Sequence, residues 1–218
     1  MPHWKSKPSS PLPFRTLLLS YAAIFAATLL WSSLTPDHFT WALEVFPTWI
    51  GVALLLYTRH RFPLTPLLYT LILLHCMVLM VGGKYTYAQV PAGFWVQDWL
   101  HLARNPYDRL GHFFQGLVPA ILAREILIRR QVLAKPAWLF FLVCSLCLAF
   151  SALYELLEWQ TAVWKGEAAE AFLGTQGDVW DTQWDMAMAL VGAVVGQWVL
   201  GKWHDRQIAK VSCFGQNC

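Results

Sequence analysis

The sequence predicts an all-α protein, a polytopic transmembrane bundle of about six helices. Of its 218 residues, 57% are hydrophobic and only 13% are charged, a composition typical of membrane proteins and too apolar for a soluble domain of this size. Six stretches reach the length of about 20 apolar residues that spans the hydrocarbon core of a bilayer. They cover residues 16–34, 41–58, 64–83, 106–128, 137–159 and 181–201.

The first stretch follows Lys5, Lys7 and Arg15, and a signal peptide shares this pattern of positive charge before an apolar run. The run is long and five more follow it, so we expect an uncleaved first helix. We expect residues 1–218 to form a single transmembrane domain with short tails.

Charge predicts the orientation of the bundle. If the helices cross alternately, twelve Lys and Arg residues fall on one side and only four on the other. The positive-inside rule then places both termini in the cytoplasm of a bacterial inner membrane. Because the basic residues are scattered among apolar runs, we expect membrane lipids as partners and no nucleic acid.

The longest connection on the outer side, residues 84–105, is predicted to contain a short interfacial helix. After Pro91 the apolar residues recur near helical spacing, and the polar residues fall on another face. The apolar set is Phe94, Trp95, Trp99 and Leu102, and the polar set is Asp98, His101 and Asn105. An aromatic belt that anchors the bundle would also explain the tryptophans.

Ionisable residues inside the spans gather near the ends predicted to face outward. Asp108, His112 and Gln115 lie at i, i+4 and i+7, so one stripe of the fourth span carries all three. The fifth and sixth spans bring further carboxylates to the same depth, and Glu44 of the second span joins them. These carboxylates are Glu155, Glu158, Asp181 and Asp185.

So many carboxylates at one depth repel each other unless a divalent cation, Arg109 and Lys84, shared protons or water offset them. A cation is the most economical counter-charge, and oxygen ligands with one imidazole suit Mg²⁺, Ca²⁺, Mn²⁺ or Zn²⁺. The candidate metal ligands are Asp108, His112, Glu155, Glu158, Asp181 and Asp185. Asp108 and His112 are also the candidate catalytic residues, with His112 as general base or ligand and Asp108 orienting it.

A purely structural interpretation stands beside this one, in which the residues cap helices and pair with Arg109 and Lys84 at a wet interface. It is favoured for Asp178, since Asp is a common helix cap. His75, in the middle of the third span, is interpreted as a core histidine and kept as a weak site candidate. Cys144 and Cys147 are interpreted as packing residues, without a disulfide.

Four motifs carry a resemblance to a known family. They are Gly82-Gly-Lys-Tyr-Thr-Tyr87, Asn105-Pro-Tyr-Asp-Arg-Leu-Gly-His112, Tyr154-Glu-Leu-Leu-Glu-Trp159 and Gly177-Asp-Val-Trp-Asp-Thr-Gln-Trp-Asp185. With them the chain resembles, over nearly its whole length, the uncharacterised bacterial inner-membrane family that includes YjdF. The resemblance implies a multi-pass inner-membrane protein and implies no particular activity.

A remoter resemblance is to VanZ-like membrane proteins, which have an Asp-Lys-x-x-His motif. Asp108, Arg109 and His112 resemble it, with Arg in place of Lys. Glu155 resembles the second motif of that family, a glutamate in a later helix. Asp185 followed by Gly192 and Gly196 resembles the third motif, except that alanine replaces the usual asparagine at position 189. This resemblance implies a shared site and names no substrate.

Three functions stay open, and the sequence leaves undecided whether the protein is an enzyme. The first is an enzyme or binder that acts on a lipid-linked or envelope-side molecule through the carboxylate and histidine site. The second is a proton-coupled transporter. The cytoplasmic halves of the spans, which are expected to be almost wholly apolar, argue against it. The third is a structural or assembly protein whose polar network locks helices together.

Overall fold

The computed structural model describes residues 12–133, 136–165 and 175–215, and within these ranges all regular secondary structure is helical. A five-residue π-helical turn, Gly196–Leu200, joins the last two helices. The helices are α1 (Leu12–Ser32), α2 (His38–Thr58), α3 (Pro66–Tyr85), α4 (Pro91–Leu100), α5 (Tyr107–Arg129), α6 (Pro136–Lys165), α7 (Asp181–Val195) and α8 (Gly201–Gly215). The predicted all-α fold is confirmed.

Five helical segments in the described ranges are long and apolar enough to cross a membrane: α1, α2, α3, α6 and the continuous run Asp181–Val211. Helix α5 has 23 residues, about 34 Å at 1.5 Å per residue, but its first turn and last two turns carry charged side chains. It packs against α3, α6 and α7. The prediction of a bundle of about six helices is therefore confirmed. The more polar α5 is the sixth helix, beside the five apolar segments.

Two helices extend beyond their predicted spans. Helix α6 continues past position 159 to Lys165, and the last helix continues past 201, through the π-helical turn, to Gly215. Hydropathy detects only the lipid-length part of a helix, whereas α8 is amphipathic and buries His204 and Ile208 while contacting α3 and α5. Tertiary packing thus prolongs this helix beyond the apolar run.

The short helix predicted after Pro91 is present as α4. Trp95 and Trp99 are 74% and 79% exposed, while on the other side a Cβ at Gly93 would overlap the side chain of Asn105. The Nδ2 atom of Asn105 donates a hydrogen bond to the carbonyl oxygen of Val90 at 3.0 Å. Helix α4 is therefore fixed to the start of α5 and presents its tryptophans outward, as an interfacial helix would.

Glycines bring α5 and α7 into backbone contact. A Cβ at Gly192 would overlap the carbonyl oxygen of Phe113, and one at Gly116 would overlap that of Ala189. Nearby, Cys144 and Cys147 are buried free thiols in an apolar cluster with Ala193 and its neighbours. This close approach sets the distance between the two helices that carry most of the candidate site.

We expect Gly192→Ala to destabilise the protein by about 1–3 kcal/mol, the usual cost of overpacking a close contact. The matched control is Gly51→Ala in α2, where an added Cβ meets nothing within 4 Å. Thermal unfolding of both variants in detergent measures the difference. Equal midpoints for the two variants would show that the α5–α7 contact tolerates the extra methyl group.

Candidate functional site

The turn after α3 brings two side chains towards α5. A Cβ at Gly82 would overlap the ring of Tyr87, and one at Gly83 would lie 3.1 Å from the Cβ atom of Glu44. The αL conformation of Thr86 and Tyr87, with φ of 54° and 48°, folds the chain back so that the Tyr87 amide donates to the Gly82 carbonyl at 2.8 Å. The two glycines therefore make room for Tyr87 and Glu44 beside the polar stripe of α5.

The centre of the site is a group of three buried residues, Asp108 and His112 of α5 and Asp185 of α7, which we call the buried triad. The His112 Nε2 atom lies 3.6 Å from Asp108 Oδ1 and 3.8 Å from Asp185 Oδ2. One ligand atom from each residue lies within 4.8 Å of the other two. On the other side of the imidazole ring, Nδ1 is 2.8 Å from Gln115 Oε1, which fixes the orientation of the ring.

The buried triad is close to the geometry of a metal site. Bonds of about 2.0–2.2 Å to nitrogen and oxygen place neighbouring ligand atoms roughly 3–3.5 Å apart, slightly less than the distances from His112. Two buried carboxylate oxygens, Asp185 Oδ1 and Glu155 Oε1, have no hydrogen-bond partner among the described residues. Because an unpaired buried oxygen is costly, these atoms favour a proton or a cation, and Glu155 Oε1 lies only 3.7 Å from His112 Nδ1.

Two arginines hold the remaining aspartates. Arg104 is buried, forms an ion pair with Asp181, and lies 3.6 Å from carboxylate oxygens of both Asp108 and Asp178. Arg109 pairs with Asp178 at 2.9 Å. Asp181, a predicted metal ligand, is therefore engaged by a guanidinium group and does not join the buried triad.

The counter-charges differ in part from those expected. Lys84 does not face the carboxylates: its Nζ atom donates to the carbonyl oxygens of Trp31 and Leu34 and lies 4.7 Å from the centre of the Trp31 ring. Arg104, one of the four basic residues that the charge count places on the outer side, takes that place. Its position in the loop before α5 carries no periodicity that would have identified this role.

A cavity of about 80 Å³ lies beside the buried triad and shares Asp108 and His112 with it. Glu158, another predicted metal ligand, lines this cavity rather than the triad. His75 also lines it, and its buried Nε2 atom has no hydrogen-bond partner in the described part of the chain. The other lining residues are Glu44, Pro47, Leu79, Tyr87, Gly111, Gln115 and Tyr154.

The expectation that the opposite ends of the spans are almost wholly apolar is wrong. There Glu125 is fully buried with Thr65 and His204; its Oε2 atom accepts from the Thr65 hydroxyl at 2.8 Å and lies 3.0 Å from His204 Nε2. Arg129 donates to Glu125 Oε1 at 2.8 Å. Hydropathy does not predict this network because the sixth apolar run ends at 201 and leaves His204 in a tail, although Glu125 inside the fourth span is a visible signal.

A bundle of membrane-length helices around a buried carboxylate and imidazole group defines a multi-pass membrane protein. Residues 17–206 match the family described as Predicted membrane protein (DUF2238), and the chain belongs to this family. It is also 55% identical over 195 residues, 89% of each chain, to Inner membrane protein YjdF of Escherichia coli (strain K12).

No solved structure matches the chain. The expected inner-membrane family is thus confirmed, and the protein is a multi-pass inner-membrane protein. The resemblance to VanZ-like proteins stays a prediction from the motifs.

Proposed function

We propose that the protein binds a divalent cation between Asp108, His112 and Asp185 and uses it to bind or convert a lipid-linked or envelope-side molecule. The observation that carries this proposal is the approach of one ligand atom from each residue to within 4.8 Å, together with the unpaired Asp185 Oδ1 atom. Glu155 Oε1 lies 3.7 Å from His112 Nδ1, on the opposite side of the ring from the proposed cation, so in this proposal Glu155 orients the imidazole rather than binding the metal directly. A cation bound here would polarise a phosphoryl or carbonyl oxygen.

Asp108 and His112 keep the roles of candidate catalytic residues because they line both the buried triad and the cavity. A polar group in the cavity would touch these two side chains directly. Since His112 Nε2 faces two carboxylates, we assign it as a ligand rather than a general base.

We further propose that the chain forms one domain with both termini in the cytoplasm, which puts the buried triad in the outer part of the bilayer. The excess of Lys and Arg on the opposite side supports this orientation. A cytoplasm-active reporter fused after Cys218 is expected to work, and the same reporter inserted within residues 166–174 is expected to be inactive. The reverse pattern of reporter activity would show that the site faces the cytoplasm.

A structural function is the second candidate, and the contacts of Arg104 favour it. This side chain pairs with Asp181 and approaches Asp108 and Asp178, so it ties the loop before α5 to α7. Proton-coupled transport is less supported, because the apolar cluster around Leu117 and Ile121 separates the buried triad from the Glu125 network along α5.

Metal content of the purified protein tests the metal-centred function. We expect one equivalent of a divalent metal in the wild-type protein and a large loss in Asp108→Ala and His112→Ala. The matched control is Asp98→Asn, which removes an exposed carboxylate of α4 and should keep the metal. If the wild-type protein contains no metal after loading with Mn²⁺ or Zn²⁺, or if all variants contain equal metal, the metal-centred function is contradicted. The structural function is then the remaining candidate.

A further inference from the structure

The cavity beside the buried triad is lined by two carboxyl groups that no described side chain pairs. Glu44 is only 5% exposed and lines this cavity with Glu158. Among the described residues, neither carboxylate makes an ion pair or hydrogen bond, since the arginines nearby are used by Asp108, Asp178 and Asp181. A buried, unpaired carboxyl group that lines a cavity favours either a proton or a positively charged occupant.

The shape of the cavity favours a polyatomic cation over a second metal ion. Within the described ranges, three ligand atoms come within 4.8 Å of each other at the buried triad and not around Glu44, Glu158 and His75. The volume of about 80 Å³ exceeds the roughly 10–15 Å³ that a single water needs. These acidic groups therefore surround a space instead of converging on one point.

The lining chemistry suits a protonated amine. Carboxylates accept strong hydrogen bonds from an ammonium group, and aromatic rings attract cations. Tyr87 and Tyr154 supply the rings, and Pro47 and Leu79 supply apolar contacts for short carbon chains. An alkylammonium group uses all of these features at once.

We propose that the cavity is a subsite for a protonated primary amine, so that the molecule bound at the metal site carries an amine close to a phosphate. This inference rests on the proposed function, because Asp108 and His112 belong to both the cavity and the buried triad. An ammonium group held between Glu44 and Glu158 leaves the neighbouring phosphate against the triad. The headgroup of an ethanolamine phospholipid has this chemistry, and phosphoethanolamine free in solution has it too.

Thermal shifts of the purified protein in detergent test the subsite. The probes are phosphatidylethanolamine and phosphatidylcholine with the same acyl chains, and free phosphoethanolamine. We expect at least about tenfold tighter apparent binding of phosphatidylethanolamine than of phosphatidylcholine, whose quaternary ammonium has no N–H to donate; tenfold corresponds to 1.4 kcal/mol. A shift with free phosphoethanolamine supports the subsite and shows that acyl chains are dispensable, whereas a shift with the lipid alone assigns the ligand to the membrane.

Variants test whether binding depends on the carboxylates of the cavity or on acidic residues in general. Glu44→Gln and Glu158→Gln should each weaken phosphatidylethanolamine binding about tenfold and reduce the preference over phosphatidylcholine. Asp98→Asn should keep both, since this exposed carboxylate lies outside the cavity lining. Glu158 is only partly buried, so Glu158→Gln keeps the test decisive if Glu44→Gln fails to fold.

Different experimental outcomes would contradict the amine subsite and the metal site. Glu44→Gln should lose the amine preference and keep its metal, while Asp185→Asn should lose metal and keep the amine preference. Metal in the wild-type protein with equal binding of the two lipids would overturn the amine subsite alone. A preference for phosphatidylethanolamine in a protein without metal would uphold the subsite and overturn the metal-centred function.

Discussion

Glu125→Ala is expected to destabilise the protein by about 3–5 kcal/mol, the usual cost of removing one partner from a buried ion pair. The buried carboxylate accepts hydrogen bonds from the Thr65 amide and hydroxyl and pairs with Arg129 and His204. Its removal leaves the buried Thr65 and His204 groups without their acceptor. Thermal unfolding in detergent, with helix content followed by circular dichroism, measures the loss.

The control for this prediction is Asp205→Asn. Asp205 pairs with Arg124 at 2.7 Å, but its side chain is 50% exposed, so we expect a loss below about 1 kcal/mol. Glu125→Gln should fall between the two, because its amide oxygen still accepts from Thr65. A loss for Glu125→Ala as small as that for Asp205→Asn would show that the network does not hold α3, α5 and α8 together.

Asp185→Asn is expected to change stability in opposite directions with and without metal. Asp185 is 2% exposed and belongs to the buried triad, so the variant should lose the stabilisation that a bound cation provides. That stabilisation is about 2.7 kcal/mol when the free metal is at 100 times its dissociation constant. After chelation, removing one of several repelling carboxylates should raise the thermal midpoint or leave it unchanged.

Thermal midpoints of wild-type protein and Asp185→Asn, each with excess Mn²⁺ or Zn²⁺ and with chelator, measure this reversal. Asp98→Asn should give the wild-type response in both conditions. The same destabilisation of Asp185→Asn with and without chelator would assign Asp185 to a structural network.

The helices and part of the site were predictable because both follow from local periodicity. Apolar length identifies a membrane helix, and spacing of i and i+4 puts Asp108 and His112 on one stripe of α5. The choice of partners was not predictable in the same way. Arg104 pairs with Asp181, 77 residues away, and no local pattern distinguishes this pairing from one with Arg109.

Two further features depend on tertiary packing. His204 lies 79 residues from Glu125 and follows the last apolar run, so hydropathy assigns it to a tail. Tyr87 reaches the cavity only because Gly82 leaves room for its ring and the chain reverses in the αL conformation. Such contacts are specified by shape across several helices and not by any one segment.

Metal affinity across a double-mutant cycle tests the central claim most directly. Titration of the metal-free protein with Mn²⁺ or Zn²⁺ gives the affinities of wild type, Asp108→Ala, Asp185→Asn and the double variant. If both carboxylates bind one cation, each single change should weaken binding at least about tenfold, and the second change should cost much less than the first, because residues that act as a unit are not additive. Independent, additive effects, or no effect of either change, would contradict a shared metal site.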